Sequence, residues 1–215
     1  MKLTFLKISI AAMLLSGMTI IGCKKETTIK TPTTTLDSSK VTTQYNLSLD
    51  LSNYSTIAVS DSVLGVSGTT GTSELTSTEA IYVQAFKDSL AARGFTVVPI
   101  SSHPDLVLNI SRIASTSSGS IDSTAYWNSY ATFYNPSLYG FTAATYSNSF
   151  TTYNQVNTGV LSFELLDLKN VSILNQISII WNGQVSGSAT YQEPSLVKQI
   201  VGILLEKSPL HHTNP

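Results

Sequence analysis

The sequence predicts an α/β domain of the α+β type: about five strands, two main helices packed on them, and a long aromatic, Ser/Thr-rich hairpin or loop insertion. Three observations predict it. Strand-like apolar runs occur at residues 54–59, 95–100, 106–113, 160–168 and 173–181, two helical stripes with start and stop signals occupy residues 76–94 and 194–209, and residues 114–156 fit neither pattern.

Before any of these, residues 1–22 have the build of a leader. Lys2 and Lys7 form a short positive region, residues 8–21 are apolar except for Ser9, Ser16, Gly17 and Thr19, and Lys24, Lys25 and Glu26 follow Cys23 at once. That run is short of the about 20 apolar residues a spanning helix needs, and reads as a signal peptide. Ile20-Ile21-Gly22-Cys23 resembles the lipobox of bacterial lipoproteins, with Cys23 the only cysteine. The resemblance implies diacylation of the Cys23 thiol, cleavage before it, and further acylation of the new amino terminus. Each buried methylene contributes about 0.8 kcal/mol, so two or three chains hold a protein at a bilayer where one does not.

From Cys23 to residue 44 the chain is rich in Thr and Ser with almost nothing large and apolar, so it cannot offset its ordering entropy and reads as a tether. Some 20 such residues span roughly 65 to 70 Å when fully extended. The folded domain is expected over residues 45–209, beginning where Leu47, Leu49 and Leu51 alternate with polar residues, with a disordered tail at 210–215. Gly65, Gly68 and Gly71 among Ser and Thr mark a loop after the first strand.

Thr76 followed three residues later by Glu79 matches a capping box, and Tyr82, Phe86 and Leu90 then recur every four residues beside Ile81 and Ala85 up to Gly94, a C-terminal cap. The next two strands are separated by the turn Ser101-Ser102-His103-Pro104-Asp105. In residues 114–156 the one charge is Asp122, and Tyr126, Trp127, Tyr130, Phe133, Tyr134, Tyr139, Phe141, Tyr146, Phe150 and Tyr153 crowd together. Beyond them Leu161, Phe163 and Leu165 share one strand face, and Ile173, Ile177, Ile179 and Trp181 follow a Lys169-Asn170 turn, an antiparallel hairpin. Pro194 opens the last helix, whose stripe is Val197, Ile200, Val201, Leu204 and Leu205, and Pro209 stops it.

The order of these pieces resembles the domain-of-unknown-function 4136 family, a group of bacterial lipoproteins. The resemblance is carried by Leu51-Ser52-Asn53-Tyr54-Ser55-Thr56 ahead of the first strand, Leu90-Ala91-Ala92-Arg93-Gly94-Phe95, Pro104-Asp105-Leu106-Val107, Thr158 to Asp167, Ile180-Trp181-Asn182-Gly183, and Lys207-Ser208-Pro209. It covers residues 47–209. What it implies is a mixed, largely antiparallel sheet with helices packed against it, and no known activity.

Composition narrows the function. With 12 Lys and Arg against 13 Asp and Glu the chain has no basic field for phosphate backbones, which argues against nucleic acid as a partner. Solubility rests on hydroxyls, since 32 Ser and 27 Thr outnumber the charges. No metal site or cofactor is expected: one cysteine excludes a Cys-based zinc site, His211-His212 lies in the tail, and the glycines fit no nucleotide fingerprint. A serine hydrolase elbow is missing, the nearest sequence being Gly183-Gln184-Val185-Ser186-Gly187, and His103 in its turn has no acid or nucleophile placed to orient it. Asp105 and Asp167, the acids that best fit the family pattern, read as turn residues that bond nearby backbone.

Two features carry functional expectations. Tyr126, Trp127, Tyr130, Tyr134, Tyr139 and Tyr146 are a candidate binding surface for an envelope protein or glycan, the alternative being rings packed on the domain's own sheet. Asp61-Ser62-Val63, Asp88-Ser89-Leu90 and Asp122-Ser123-Thr124 resemble the O-glycosylation motif of Bacteroidota, with Ser62 and Ser123 the candidates and Ser89 the least accessible. The expectation is a noncatalytic protein of the cell envelope, moored by lipid at the outer membrane. The alternative is a hydrolase acting on envelope polymers.

Overall fold

Two segments of this chain are apolar on both strand faces, and such strands have to be covered twice. The computed structural model describes residues 36–45, 50–67, 70–73, 75–148 and 155–210. In chain order they form β1 (Val41–Tyr45), β2 (Thr56–Ser67), β3 (Thr70–Ser73), α1 (Ser77–Ala92), β4 (Thr96–Val97), β5 (Leu106–Ile113), β6 (Ser120–Asp122), α2 (Ser123–Phe133), β7 (Thr145–Asn148), β8 (Gln155–Asn157), β9 (Val160–Asp167), α3 (Val171–Leu174), β10 (Gln176–Ser186), α4 (Ser188–Tyr191) and α5 (Val197–Glu206). Short 3-10 turns lie at Ser38–Lys40, Ile100–Ser102, Pro136–Tyr139 and Pro194–Leu196. The leader, Cys23, the tether to residue 35, Leu47, Leu49 and the tail at 211–215 fall outside the described residues.

The four long strands run in the order β10-β9-β5-β2, with β9 antiparallel to both of its neighbours and β5 parallel to β2. Each outer strand carries two short ones end to end: β7 and β1 along β10, β4 and β3 along β2. Short edge strands leave little unpaired backbone in a row. The sheet is thus the expected mixed, largely antiparallel one, with eight strands instead of about five. Strands of two to five residues are too short to show a period of two. A separate pair, β6 and β8, closes antiparallel beside α2.

One face of the sheet is covered by α1 and α5, as expected. Leu106, Leu108 and Ile110 of β5 and Leu161, Phe163 and Leu165 of β9 meet Tyr82, Phe86 and Leu90 of α1 and the Val197 to Leu205 stripe of α5. The Phe163 ring lies 4.9 Å from Phe86 and 5.5 Å from Tyr82 between centroids. The capping box forms in full: Glu79 N–H donates to Thr76 Oγ1 at 3.3 Å and Thr76 N–H donates back to Glu79 Oε2 at 2.8 Å. Glu79 Oε1 also pairs with Arg112 Nη1 at 2.8 Å, which ties the start of α1 to β5. Within this layer the Tyr82 hydroxyl is buried with no hydrogen-bond partner among the described residues. An orphaned hydroxyl carries an uncompensated desolvation cost, so Tyr82→Phe is expected to leave stability unchanged or raise it by about 1 kcal/mol, read as the urea midpoint at constant slope.

The other face departs from expectation. The described part of residues 114–156, which leaves out Phe150 and Tyr153, is not an aromatic hairpin or loop but contains α2, whose Tyr126 and Tyr130, followed by Tyr134, are spaced four apart and pack on Val107, Ile113, Leu166, Ile177 and Ile179. Asp122 starts the helix by accepting from Ala125 N–H at 2.9 Å. The sheet therefore lies between two helical layers.

The domain is also longer at both ends than residues 45–209. Val41, assigned to the tether, is buried, and β1 pairs with β10 from Val41↔Val185 to Tyr45↔Trp181. At the other end Leu210 is buried, and its carbonyl accepts from Arg93 Nη1 at 3.2 Å. In the hairpin the turn is longer than Lys169-Asn170, because α3 intervenes and Asn175 adopts a left-handed conformation (φ 51°) before β10. Ile173 consequently stands 80 % exposed on α3 and is not a core strand residue.

Candidate functional site

The sheet face beneath α2 is not wholly apolar. Alternation along β5 puts Asn109 and Ser111 on the same side as Val107 and Ile113, and along β9 it puts Ser162 and Glu164 beside Val160 and Leu166. Register brings them together: Asn109 and Asn182 are both opposite Glu164, and Ser111 is opposite Ser162.

Glu164 is 1 % exposed. It accepts from Ser162 Oγ at 2.6 Å, Tyr126 OH at 3.0 Å, Ser111 Oγ at 3.1 Å and Asn182 Nδ2 at 3.4 Å. Beside it Asn109 Nδ2 donates to Tyr139 OH at 2.8 Å and Tyr130 OH at 2.9 Å. Tyr134 OH sits 2.7 Å from the Ile110 carbonyl, and Tyr146 OH donates to the Tyr134 carbonyl. Rings close the roof, with Tyr130 5.0 Å from Tyr134 and 5.2 Å from both Tyr146 and Trp127.

Burial pushes the Glu164 carboxyl up to about 7, only partly opposed by the hydrogen bonds from Ser162, Tyr126 and Ser111. Burial and the field of Glu164 together raise the Tyr126 and Tyr130 hydroxyls, which stay protonated; Tyr126 donates to Glu164, while Tyr130 accepts from Asn109. Chemically the arrangement holds a carboxylic acid away from water with its pKa well above the ordinary carboxyl range.

This geometry corrects the expected binding surface. Tyr126, Tyr130, Tyr134 and Tyr139 are buried, and Trp127 and Tyr146 are half-buried. The uncharged stretch is core because its hydroxyls find acceptors and donors on the polar centre of its own sheet, so large rings and their polar tips are satisfied together. Sequence reading missed Asn109, Ser111, Ser162 and Glu164. Their one signal was a polar side chain inside a run apolar on both sides, as in Leu106-Val107-Leu108-Asn109-Ile110 and Phe163-Glu164-Leu165-Leu166.

Asp105 and Asp167 stand where β5 begins and β9 ends; the first serves the backbone and the second ties side chains together. Asp105 Oδ2 accepts from Ser55 N–H at 2.7 Å and Thr56 N–H at 3.1 Å, with Lys169 Nζ 3.9 Å from Oδ1. Partial burial raises its pKa, but the two amides, Lys169 and the Ser55 hydroxyl outweigh that and hold the carboxyl below the ordinary range. Asp167 accepts from Tyr54 OH at 2.9 Å and Asn170 Nδ2 at 2.6 Å. His103 caps a 3-10 turn in a left-handed conformation (φ 52°), exposed, with its ring against Gly140. Among the described residues no three His, Cys, Asp or Glu side chains converge as metal ligands. Ser62 is exposed, whereas Ser123 and Ser89 are half-buried in α2 and α1.

The model of a family described as a domain of unknown function, DUF4136, matches residues 41–210. Among solved structures, a DUF4136 family protein from Bacteroides thetaiotaomicron is 17 % identical, with a TM-score of 0.61 over 81 % of this chain and 97 % of that one. A dodecameric PelC variant from Paraburkholderia phytofirmans is 14 % identical, with a TM-score of 0.38 over 81 % of this chain and 99 % of that one. No curated protein matches the chain.

Proposed function

The chain belongs to the DUF4136 family, and from that premise we propose that it is a lipid-anchored protein of the cell envelope whose single domain acts as a noncatalytic structural or binding module. The observation that carries the reading is the leader ending in Ile20-Ile21-Gly22-Cys23. A thiol is the most nucleophilic side chain available for taking an acyl-glycerol group, and Gly22 leaves the bond before it accessible. Loss of residues 1–22 leaves 10 basic against 13 acidic side chains on the anchored protein. No helix among the described residues is long and apolar enough to cross a membrane, so attachment in this reading rests on the lipid.

The noncatalytic half draws its support from where the acids are used. Glu79 caps α1, Asp105 holds backbone, Asp167 is taken up by the Tyr54 hydroxyl and Asn170, and Glu164, the group whose raised pKa would suit a general acid in an envelope hydrolase, is sealed under Tyr126 and its neighbours.

The test is metabolic labelling with an alkyne fatty acid in a bacterial host, comparing the full chain with Cys23→Ala. The parent is expected to take label, lose residues 1–22 and sediment with membranes, and Cys23→Ala to take none. A parent with a free Cys23 thiol, or with its leader still attached, overturns the anchor.

A further inference from the structure

The ladder between β2 and β5 has a gap. Val59 pairs with Leu108 and Val63 with Ile110, so Ser60, Asp61 and Ser62 stand opposite the single residue Asn109. A bulge of this size turns its residues out of the sheet, and its backbone groups need other partners. Here they find them on the inner side. Ser60 Oγ donates to the Ser62 carbonyl at 3.1 Å and accepts from Ser62 N–H at 3.2 Å. The Tyr134 hydroxyl, 2.8 Å from the Ser62 carbonyl and 2.7 Å from that of Ile110, also accepts from Ile110 N–H at 3.3 Å, so it stands in for the missing strand. Ser60 and Val63 are buried and pin the two ends, while Asp61 and Ser62 are exposed. Among the described residues nothing engages the Asp61 carboxylate or the Ser62 hydroxyl.

We propose that the bulge presents Ser62 as an attachment site for an O-linked glycan, with the Asp61 carboxylate as the handle a glycosyltransferase reads. The other two Asp-Ser pairs lack this exposure. Asp88 accepts from Gln84 Nε2 at 2.7 Å and Ser89 lies half-buried in α1, while Asp122 is occupied as the cap of α2 with Ser123 in its first turn. An enzyme acting on the folded domain needs both side chains of the pair and a length of backbone free of a ladder, and Asp61-Ser62 offers them. The donor is a glycan activated as a glycosyl diphosphate. Ser62 Oγ attacks the anomeric carbon and a new C–O bond forms. The bond from that carbon to the diphosphate oxygen breaks, the diphosphate leaves with the electron pair, and the hydroxyl proton passes to a base on the transferase.

The inference rests on export of the chain, so its test reads the lipid as well. Full chains carrying no change, Ser62→Ala, Asp61→Asn or Ser123→Ala are made in Bacteroides thetaiotaomicron and followed by intact mass and peptide mapping. Near-UV circular dichroism checks the fold of each. The parent is expected to carry hexose or hexosamine mass on the peptide containing residues 61–63. That mass is lost in Ser62→Ala, falls at least tenfold in Asp61→Asn, and is unchanged in Ser123→Ala. A lipidated parent with a bare 61–63 peptide overturns the glycan site and leaves the anchor standing. A parent with neither modification overturns both, and glycan retained in Ser62→Ala overturns the assignment to this residue.

Discussion

Gly183→Ala lowers the stability of the domain by about 3 kcal/mol, at the upper end for an overpacked core. The reason is the residue two places before it. Trp181 and Gly183 share one face of β10, and the Trp181 ring lies over the glycine, filling the place its side chain would take. A Cβ at Gly183 would stand 2.4 Å from Trp181 Cη2, 2.7 Å from Cζ2 and 2.8 Å from Leu204 Cδ2. Trp181 and Leu204 are both fully buried, the ring by α5 and the sheet, so no flexible end can swing into solvent. Urea unfolding of the isolated domain measures the loss, and a second substitution isolates its cause. Trp181→Leu shortens the ring that blocks the new methyl group, so the two changes together cost less than their sum by about 1 to 2 kcal/mol. Strict additivity would mean that the glycine serves the backbone of β10 instead of making room for the ring.

The same pair shows what could be read in advance and what could not. Ile180-Trp181-Asn182-Gly183 stands out in the sequence, yet nothing in it says which residue two places away owns the space. Local signals fared well: Thr76 and Glu79 form the capping box they spell, β5 and β9 occupy the apolar runs, and the Val197 to Leu205 stripe is α5 against the sheet. The helix α2 escaped because Asn128, Ser129 and Thr132 take three of the six positions between Tyr126, Tyr130 and Tyr134, and such residues favour turns over helix interiors. A spacing of four was present twice in succession, but composition outweighed it. β1 was hidden likewise, since Val41-Thr42-Thr43-Gln44-Tyr45 looks like more tether until β10 is beside it. The polar centre under α2 was the least legible feature. Its members come from β5, α2, the Pro136–Tyr139 turn, β9 and β10, and only the register of three strands makes neighbours of Asn109, Glu164 and Asn182.

That centre should make the domain less stable as pH rises from acid to neutral, and Glu164→Gln should remove the effect. Glu164 is pushed from an ordinary 4.5 up to about 7 by burial. Below the lower value both folded and unfolded chains hold the proton. Between the two values the unfolded chain has released it and the folded chain has not, so each pH unit favours unfolding by about 1.4 kcal/mol, and above 7 the loss levels off near 3 kcal/mol in all. Asp105 works in the opposite sense, because its carboxyl is held low and its contribution disappears only as pH falls through the acid range beneath this window. The glutamine keeps a carbonyl oxygen for Ser162 and Tyr126, and its amide can donate to Ser111, so the network survives without a group to ionise. Urea midpoints from pH 4.5 to 8 are therefore expected to slope downward in the parent and run flat in Glu164→Gln, with the variant the more stable of the two at pH 8. Glu164→Ala separates charge from connectivity: it leaves the Ser111, Ser162 and Tyr126 hydroxyls without the carboxylate they donate to and should cost stability at every pH. A parent slope that persists in Glu164→Gln would place the responsible proton elsewhere and leave Glu164 an ordinary link in the hydrogen-bond network.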